Sequence, residues 1–301
     1  MKLVITGATG FIGSALVERL RRQVHSLVLL SRKPPSWQSR AGQQWLAWVP
    51  GSAGEWQRAL DGADGIVNLA GEPIAAKRWT AAQKDKLRRS RIDTTRALVD
   101  AIASANVKPK FLVSASAVGY YGARGDETLT ESSAPGDDFL SGLCVEWEKE
   151  ALRAEEHGVR VTLLRTGIVL GRGKGALAKM VFPFKLFLGG RLGSGKQWVP
   201  WIHIDDEVSL IQFLMENNKA RGAFNATAPN PVTMSEFAKC LGKVLNRPAW
   251  APVPASVLLL LLGEMAEMLL AGQRALPSAA QQLGFRFRYK QLTDALVSLD
   301  L

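Results

Sequence analysis

The chain opens Met1-Lys2-Leu3-Val4-Ile5 and runs directly into Thr6-Gly7-Ala8-Thr9-Gly10-Phe11-Ile12-Gly13. An apolar strand candidate, three glycines at a spacing of three and then a helical pattern leave few folds open. Gly7 allows a tight turn, Gly10 lets backbone approach a pyrophosphate, and Gly13 permits close helix–strand packing. A helix starting at Phe11 offers free N–H groups and the positive end of its dipole to phosphate. The pattern predicts a strand–loop–helix unit for a phosphorylated ligand, and its position at the chain start leaves no room for a leader segment.

The alternation continues. Apolar runs predict strands at Leu3–Thr6, Ser26–Leu30, Gln44–Trp48, Gly65–Leu69, Lys110–Ser114, Val159–Arg165 and Ala223–Thr227. Helical spacing predicts helices at Phe11–Arg22, Ala81–Ala105 and Leu140–Glu156, with another after Asp205. This order implies an α/β protein with a Rossmann doubly wound parallel sheet. Gly and Pro become frequent from Gly167 to Pro200, and Pro229 and Pro231 introduce a helical C-terminal region. The expected organisation is a nucleotide-binding domain over 1–170, rejoined by 202–228, and a smaller, mainly helical substrate domain from 171–201 and 229–301.

At 301 residues, 47% hydrophobic and 22% charged, the chain is not collagen, coiled coil or a disordered tail. Its most apolar run, Val257 to Leu262, is far shorter than the roughly 20 residues of a membrane span. That run predicts a buried or dimer-facing helix, so a membrane is not an expected partner and a homodimer is. The two cysteines, Cys144 and Cys240, cannot build a disulfide framework, which points to a reducing, cytoplasmic setting.

Net charge is +11, from 38 Lys+Arg against 27 Asp+Glu, and it is localised. Residues 77–96 carry a net +6, residues 157–204 carry +8 with no acid at all, and the remainder is −3. On a helix over 81–105, Lys84, Arg88 and Arg91 share a face. With no recognisable nucleic-acid module and no aromatic beyond Trp79 among the first group, nucleic acid is not an expected partner. An anionic small ligand is.

The end of the second strand narrows the ligand. A dinucleotide site for NAD places Asp or Glu there for the ribose 2′-OH. This chain reads Leu29-Leu30-Ser31-Arg32-Lys33 instead. A cation there suits a 2′-phosphate, which Arg32 can bind through two hydrogen bonds, so NADP(H) is the expected cofactor.

These residues resemble the extended short-chain dehydrogenase/reductase superfamily. Asn68-Leu69-Ala70-Gly71, the run Leu164–Gly171 and Ile202-His203-Ile204-Asp205-Asp206 fit it alongside the glycine loop. A narrower resemblance, to the YfcH-like epimerase-family branch, rests on Ala70–Ile74 with Lys77-Arg78-Trp79, on Gly193–His203 and on Gly272–Pro277. The resemblance implies cofactor contacts from Thr6, Gly7, Thr9, Gly10, Phe11, Ile12 and Gly13, and from Ser31, Arg32 and Lys33. It further implies contacts from Asn68, Leu69, Ala70, Gly71, Arg91 and Ser114.

In that superfamily a Ser or Thr polarises the substrate and a Tyr-x-x-x-Lys pair moves the proton. Here Tyr120, Tyr121 and Tyr289 are followed four residues on by Arg124, Gly125 and Thr293. Setting Glu148 on the family's helix glutamate puts Leu140 at the Tyr position and Cys144 at the Lys position. The usual base is therefore missing. Ser116, at the end of the fifth strand, and Tyr121, in a turn resembling the superfamily's Val-Tyr-Gly, are the catalytic candidates. Cys144 reads as a small buried hydrophobe, and His203 as a hydrogen-bonded structural residue. Arg191, Lys196 and Gln197 are candidates to bind a small anionic substrate, and Trp201 to stack on its ring. The expected function is that of an NADP(H)-dependent oxidoreductase or epimerase-like enzyme. The alternative is a non-catalytic NADP(H)-binding sensor or interaction protein.

Overall fold

Seven parallel strands form the central sheet of the computed structural model, which describes residues 1–23, 25–34 and 42–301. They are β1 (Lys2–Thr6), β2 (Ser26–Ser31), β3 (Gln43–Ala47), β4 (Gly65–Asn68), β5 (Phe111–Ala117), β6 (Arg160–Thr166) and β7 (Gly222–Ala226). Their spatial order is β7-β6-β5-β4-β1-β2-β3. The chain winds outward from β1 to β3, returns to β4 and winds outward the other way. The order thus reverses between β1 and β4, the place where doubly wound sheets hold a ligand crevice beyond the carboxyl ends of their strands. This is the Rossmann doubly wound sheet that the alternation of apolar runs predicts.

The helices are α1 (Phe11–Arg21), α2 (Glu55–Leu60), α3 (Ala81–Ser104), α4 (Phe139–Leu152), α5 (Gly175–Lys185), α6 (Ile204–Glu216), α7 (Met234–Leu245) and α8 (Ala255–Leu262). Strand residues alternate between two faces, and both faces are covered. Leu3 and Ile5 pack with Leu16 and Leu20 of α1 and Ile211 and Leu214 of α6. Val4 turns the other way, toward Leu98, Val99 and Ile102 of α3. A third cluster joins Leu177 and Phe184 of α5 to Phe237 and Leu241 of α7 and to the C-terminal Leu296.

Helix ends follow side-chain chemistry. The Thr80 hydroxyl accepts from the N–H of Gln83 to start α3, and the Asp138 carboxylate accepts from Ser141 to start α4. α4 stops at Leu152, short of the expected Glu156, because Arg153–His157 tighten into a 3₁₀ turn that ends on Gly158 at φ 78°. The larger departure is α8. Only Leu258 of its apolar run is buried, while Leu260 is 76% exposed, so the expectation of a buried helix fails within the chain itself.

Candidate functional site

The glycine loop closes β1 onto α1 at the crevice. Gly7 sits at φ 68°, and a Cβ there would lie 2.5 Å from the Leu69 carbonyl oxygen. At Gly13 a Cβ would lie 2.2 Å from the Gly7 carbonyl oxygen, so the loop and α1 meet backbone to backbone. The Gly10 N–H donates to Gly7 O at 2.9 Å, and no side chain caps α1. Among the described residues the N–H groups of Phe11, Ile12 and Gly13 have no acceptor. Thr9 and Gly10 are exposed beside them. The Phe11 ring is turned away, onto Gly171 and Gly175, and Ile12 packs on the core. Both residues therefore face the loop through backbone alone.

Beneath this loop the expected polar contacts bond to one another. Buried Thr6 donates to Asn68 Oδ1 at 2.7 Å and accepts from the N–H groups of Leu69 and Ala70 at 3.2 Å each. Asn68 Nδ2 donates to Thr95 at 2.9 Å and to Ser114 at 3.4 Å. The side chains of Thr6, Asn68 and Ser114 are fully buried, so they hold the Asn68–Gly71 turn against the glycine loop rather than reach a ligand. Arg91 also serves that turn. Its guanidinium donates to the carbonyls of Leu87 and Glu72 at 3.1 Å each, under Gly71 and against the Trp147 ring. Burial lowers its pKa, and its charge is applied to backbone, not to the crevice.

At the end of β2 the Ser31 hydroxyl accepts the Lys33 N–H and donates to the Lys33 carbonyl, making a tight turn. Arg32 and Lys33 stand exposed on it, and among the described residues no carboxylate pairs with either.

The two catalytic candidates lie at the end of β5 and are both buried. Ser116 Oγ donates to Glu148 Oε1 at 2.6 Å. Glu148 also receives Arg165 Nε and Nη2, each at 2.8 Å, in a buried bidentate ion pair. Burial opposes the Arg165 charge, but these bonds outweigh it and hold the guanidinium firmly protonated. Arg165 Nη1 then donates to the Tyr121 hydroxyl at 3.0 Å, and that hydroxyl donates to Asn225 Oδ1 at 2.7 Å. Tyr121 is fully buried, and burial raises its pKa despite the neighbouring Arg165. The turn resembling Val-Tyr-Gly therefore places Tyr121 in the core and not at a pocket. Ser116 has its proton committed to a carboxylate.

Leu140 packs over Gly119, and Cys144 is buried, its thiol pushed up to about 12 by burial and by the Glu148 charge. At physiological pH it is a protonated, inert thiol.

The four substrate candidates separate. Trp201 is fully buried, with its indole N–H on Asn230 O, so it cannot stack on a ligand. Gln197 donates to the carbonyls of Leu192 and Leu269, bracing two loops. Lys196 is exposed. Arg191 lines a cavity of about 300 Å³ against Ser235 and Lys239 of α7 and against Trp250, away from the glycine loop's own walls. His203 caps α6, accepting from Asp205 N, and stacks on Tyr289 at 3.9 Å.

The basic segments also diverge. In 77–96, Lys84 pairs with Glu264, Lys86 with Glu72, Arg88 with Glu146 and Arg96 with Glu150. Acids distant in sequence thus neutralise a face that the sequence presents as a positive patch. Arg165 is a residue of the Glu148–Tyr121 network that the sequence does signal: a charge inside Leu163-Leu164-Arg165, on a buried strand, demands a buried counter-ion. No comparable signal marks Glu131, which accepts backbone N–H groups from Asn225 and Ala279. Glu207, on α6, is fully buried; Thr166 donates to one oxygen and the other has no partner among the described residues.

The model of the NAD dependent epimerase/dehydratase family matches residues 3–227, and a domain of unknown function, DUF1731, matches residues 253–299. An epimerase family protein SDR39U1 homolog, chloroplastic, of Arabidopsis thaliana is 46% identical, over 98% of this chain and 86% of that protein. The Bacillus subtilis epimerase family protein YfhF is 42% identical, over 99% and 98% of the two chains. Among solved structures, human epimerase family protein SDR39U1 with NADPH has a TM-score of 0.89 at 36% identity, covering 99% of each chain. A nucleoside-diphosphate sugar epimerase from Corynebacterium glutamicum has a TM-score of 0.79 at 35% identity, covering 98% of this chain and 57% of that one.

Proposed function

Because this chain belongs to the NAD dependent epimerase/dehydratase family, we propose that it binds NADP(H) at the carboxyl edge of its sheet. In this reading it acts on a small anionic substrate as an epimerase-like oxidoreductase. The carrying observation is the pairing of an open α1 N-terminus with an acid-free turn at the end of β2. The free N–H groups of Phe11, Ile12 and Gly13 suit a pyrophosphate, and Arg32 with Lys33 suits a 2′-phosphate. The human relative's structure with NADPH supports the choice of cofactor. Bound NADP(H) supplies hydride chemistry, and the chain supplies the cradle: Gly7 and Gly13 for close approach, Leu69–Gly71 as the facing wall. The assignment to the YfcH-like branch and to the cytoplasm belongs to the same proposal.

The buried bonds of Ser116 and Tyr121 favour a second reading, an NADP(H)-binding sensor or interaction protein, because neither hydroxyl has a proton directed at a crevice. One pair of measurements tests both. Fluorescence titration with NADPH and NADH should show NADPH preferred, with the preference lost in Arg32→Glu. NADPH oxidation is then followed against a panel of small carboxylate and phosphate carbonyl compounds. Turnover supports the oxidoreductase, tight binding with no turnover supports the sensor, and absence of NADPH binding overturns both.

A further inference from the structure

The second basic segment, unlike the first, is not neutralised, and a neighbouring stretch resembles it. Residues 157–204 have no acid, and neither do residues 237–263. The structure joins the two. Gly190 lies against Ala251, Leu192 bridges to Val253, and the Trp250 indole donates to Phe187 O at 2.9 Å. Arg160, Arg165 and Arg172 of the first stretch are occupied with carbonyls or with Glu148 and Asp300. Lys185, Arg191, Lys239 and Lys243 are exposed, and among the described residues none has an ion-pair partner. On α7 one acid, Glu236, is exposed before Lys239 and Lys243, its carboxylate bonded to Thr233 in the helix cap.

Large apolar side chains stand between these cations. At the end of α5, Phe182 is 65% exposed and Leu186 54%; Trp250 is 66% exposed. Exposed apolar groups clustered in this way mark an interaction surface. The charge around them decides what covers it. A second copy of this chain would bring its Lys and Arg against their own kind, which opposes an isologous dimer. Nucleic acid would use the cations but gains nothing from leucines, which offer no stacking surface. An anionic bilayer uses both, with leucine and aromatic side chains at the headgroup boundary and Lys and Arg on lipid phosphate.

We propose that the cationic face bearing Phe182, Leu186 and Trp250 docks the protein on the surface of an anionic phospholipid bilayer. The cavity of about 300 Å³ bounded by Arg191, Ser235, Lys239 and Trp250 opens on this face and receives a headgroup phosphate. No described helix is long and apolar enough to cross a membrane, so the contact is peripheral. It differs from the expectation, drawn from the short apolar run, that membranes are not partners.

The test sediments the full chain, with NADPH present, with phosphatidylcholine vesicles and with vesicles in which about a third of the lipid is phosphatidylglycerol. The protein should partition onto the anionic vesicles alone and be released by salt. Phe182→Asp with Leu186→Asp should weaken partition by about tenfold or more while leaving the urea midpoint unchanged. Lys239→Glu with Lys243→Glu should weaken it and flatten its salt dependence. Equal partition onto both vesicle types, or none, overturns the proposal. So does a dimer in sedimentation equilibrium that the Asp variant dissociates, or an RNA oligomer held as well by the Asp variant as by the parent.

Discussion

At the end of β1 the N–H groups of Phe11, Ile12 and Gly13 have no acceptor among the described residues, whereas at the end of β5 the hydroxyls of Ser116 and Tyr121 are fully engaged. Both lie on the carboxyl edge of one sheet. A binding site keeps polar groups unsatisfied near solvent, where water serves until a ligand arrives. A structural network satisfies its own groups, since a buried unpaired donor costs about 1–3 kcal/mol. The β5 end, where a resemblance places catalysis, has the second character. Breaking each end in turn separates holding the fold from holding a ligand.

The largest effect is expected at Glu148. Glu148→Ala strands the buried Arg165 guanidinium and should lower unfolding free energy by about 3–5 kcal/mol, seen as a shifted urea midpoint. Glu148→Gln keeps a hydrogen bond to Arg165 and should lose less. A Glu148→Ala variant of parental stability would show that the network does not brace the core.

Gly13→Ala acts on the open end. Its Cβ would meet the Gly7 carbonyl oxygen, so the loop must shift and stability should fall by about 1–3 kcal/mol. The sharper readout is NADPH titration, where affinity should drop well beyond any loss in Glu148→Gln. Equal losses in the two variants would erase the distinction between the ends.

The glycine loop and the parallel sheet were legible because they depend on local rules: a turn needing positive φ at Gly7, and helix period against strand period. The exposure of Arg32 after β2 was legible because a side chain at a strand end needs no partner to be placed. Ser116 and Tyr121 were not, since their bonds cross 32 and 104 residues, to Glu148 and Asn225. The positive patch at 77–96 misled for a related reason: summed charge along a segment omits Glu146, Glu150 and Glu264, which the fold brings beside it. Trp201 misled because an aromatic in a Gly-rich stretch resembles a ligand platform until the packing of α7 against it is known.

Glu207 lies behind β6 and offers a third contrast, a buried acid with one oxygen unsatisfied. Burial pushes its carboxyl from an ordinary value near 4.5 up to about 8, against the opposing bond from Thr166. Between those values the folded chain keeps a proton that the unfolded chain releases, so stability should fall as pH rises through that window and level off above it. The slope is at most about 1.4 kcal/mol per pH unit for one proton. Glu207→Gln removes it, so parent and variant urea midpoints should converge toward pH 5 and separate toward pH 8, with the variant higher. Parallel curves across the range would place the Glu207 carboxyl in a solvated setting.

Tyr121→Phe is the smallest change and the most discriminating. It removes one hydroxyl, leaving Asn225 Oδ1 without its donor while Arg165 retains Glu148 and Glu131 O. The loss of a satisfied buried hydrogen bond should lower stability by about 1 kcal/mol. If the hydroxyl only joins Arg165 to Asn225, NADPH affinity and any measured kcat/KM should stay within a factor of two or so of the parent once the folded fraction is equal. A catalytic proton donor predicts the reverse pattern, a kcat reduced by about a hundredfold or more with little change in the urea midpoint. Arg165 is what makes the two outcomes separable. It donates to the phenol oxygen while the phenol proton goes to Asn225 Oδ1, so redirecting that proton to a substrate gives up the bond to Asn225, and moving the ring gives up the charge-assisted bond as well.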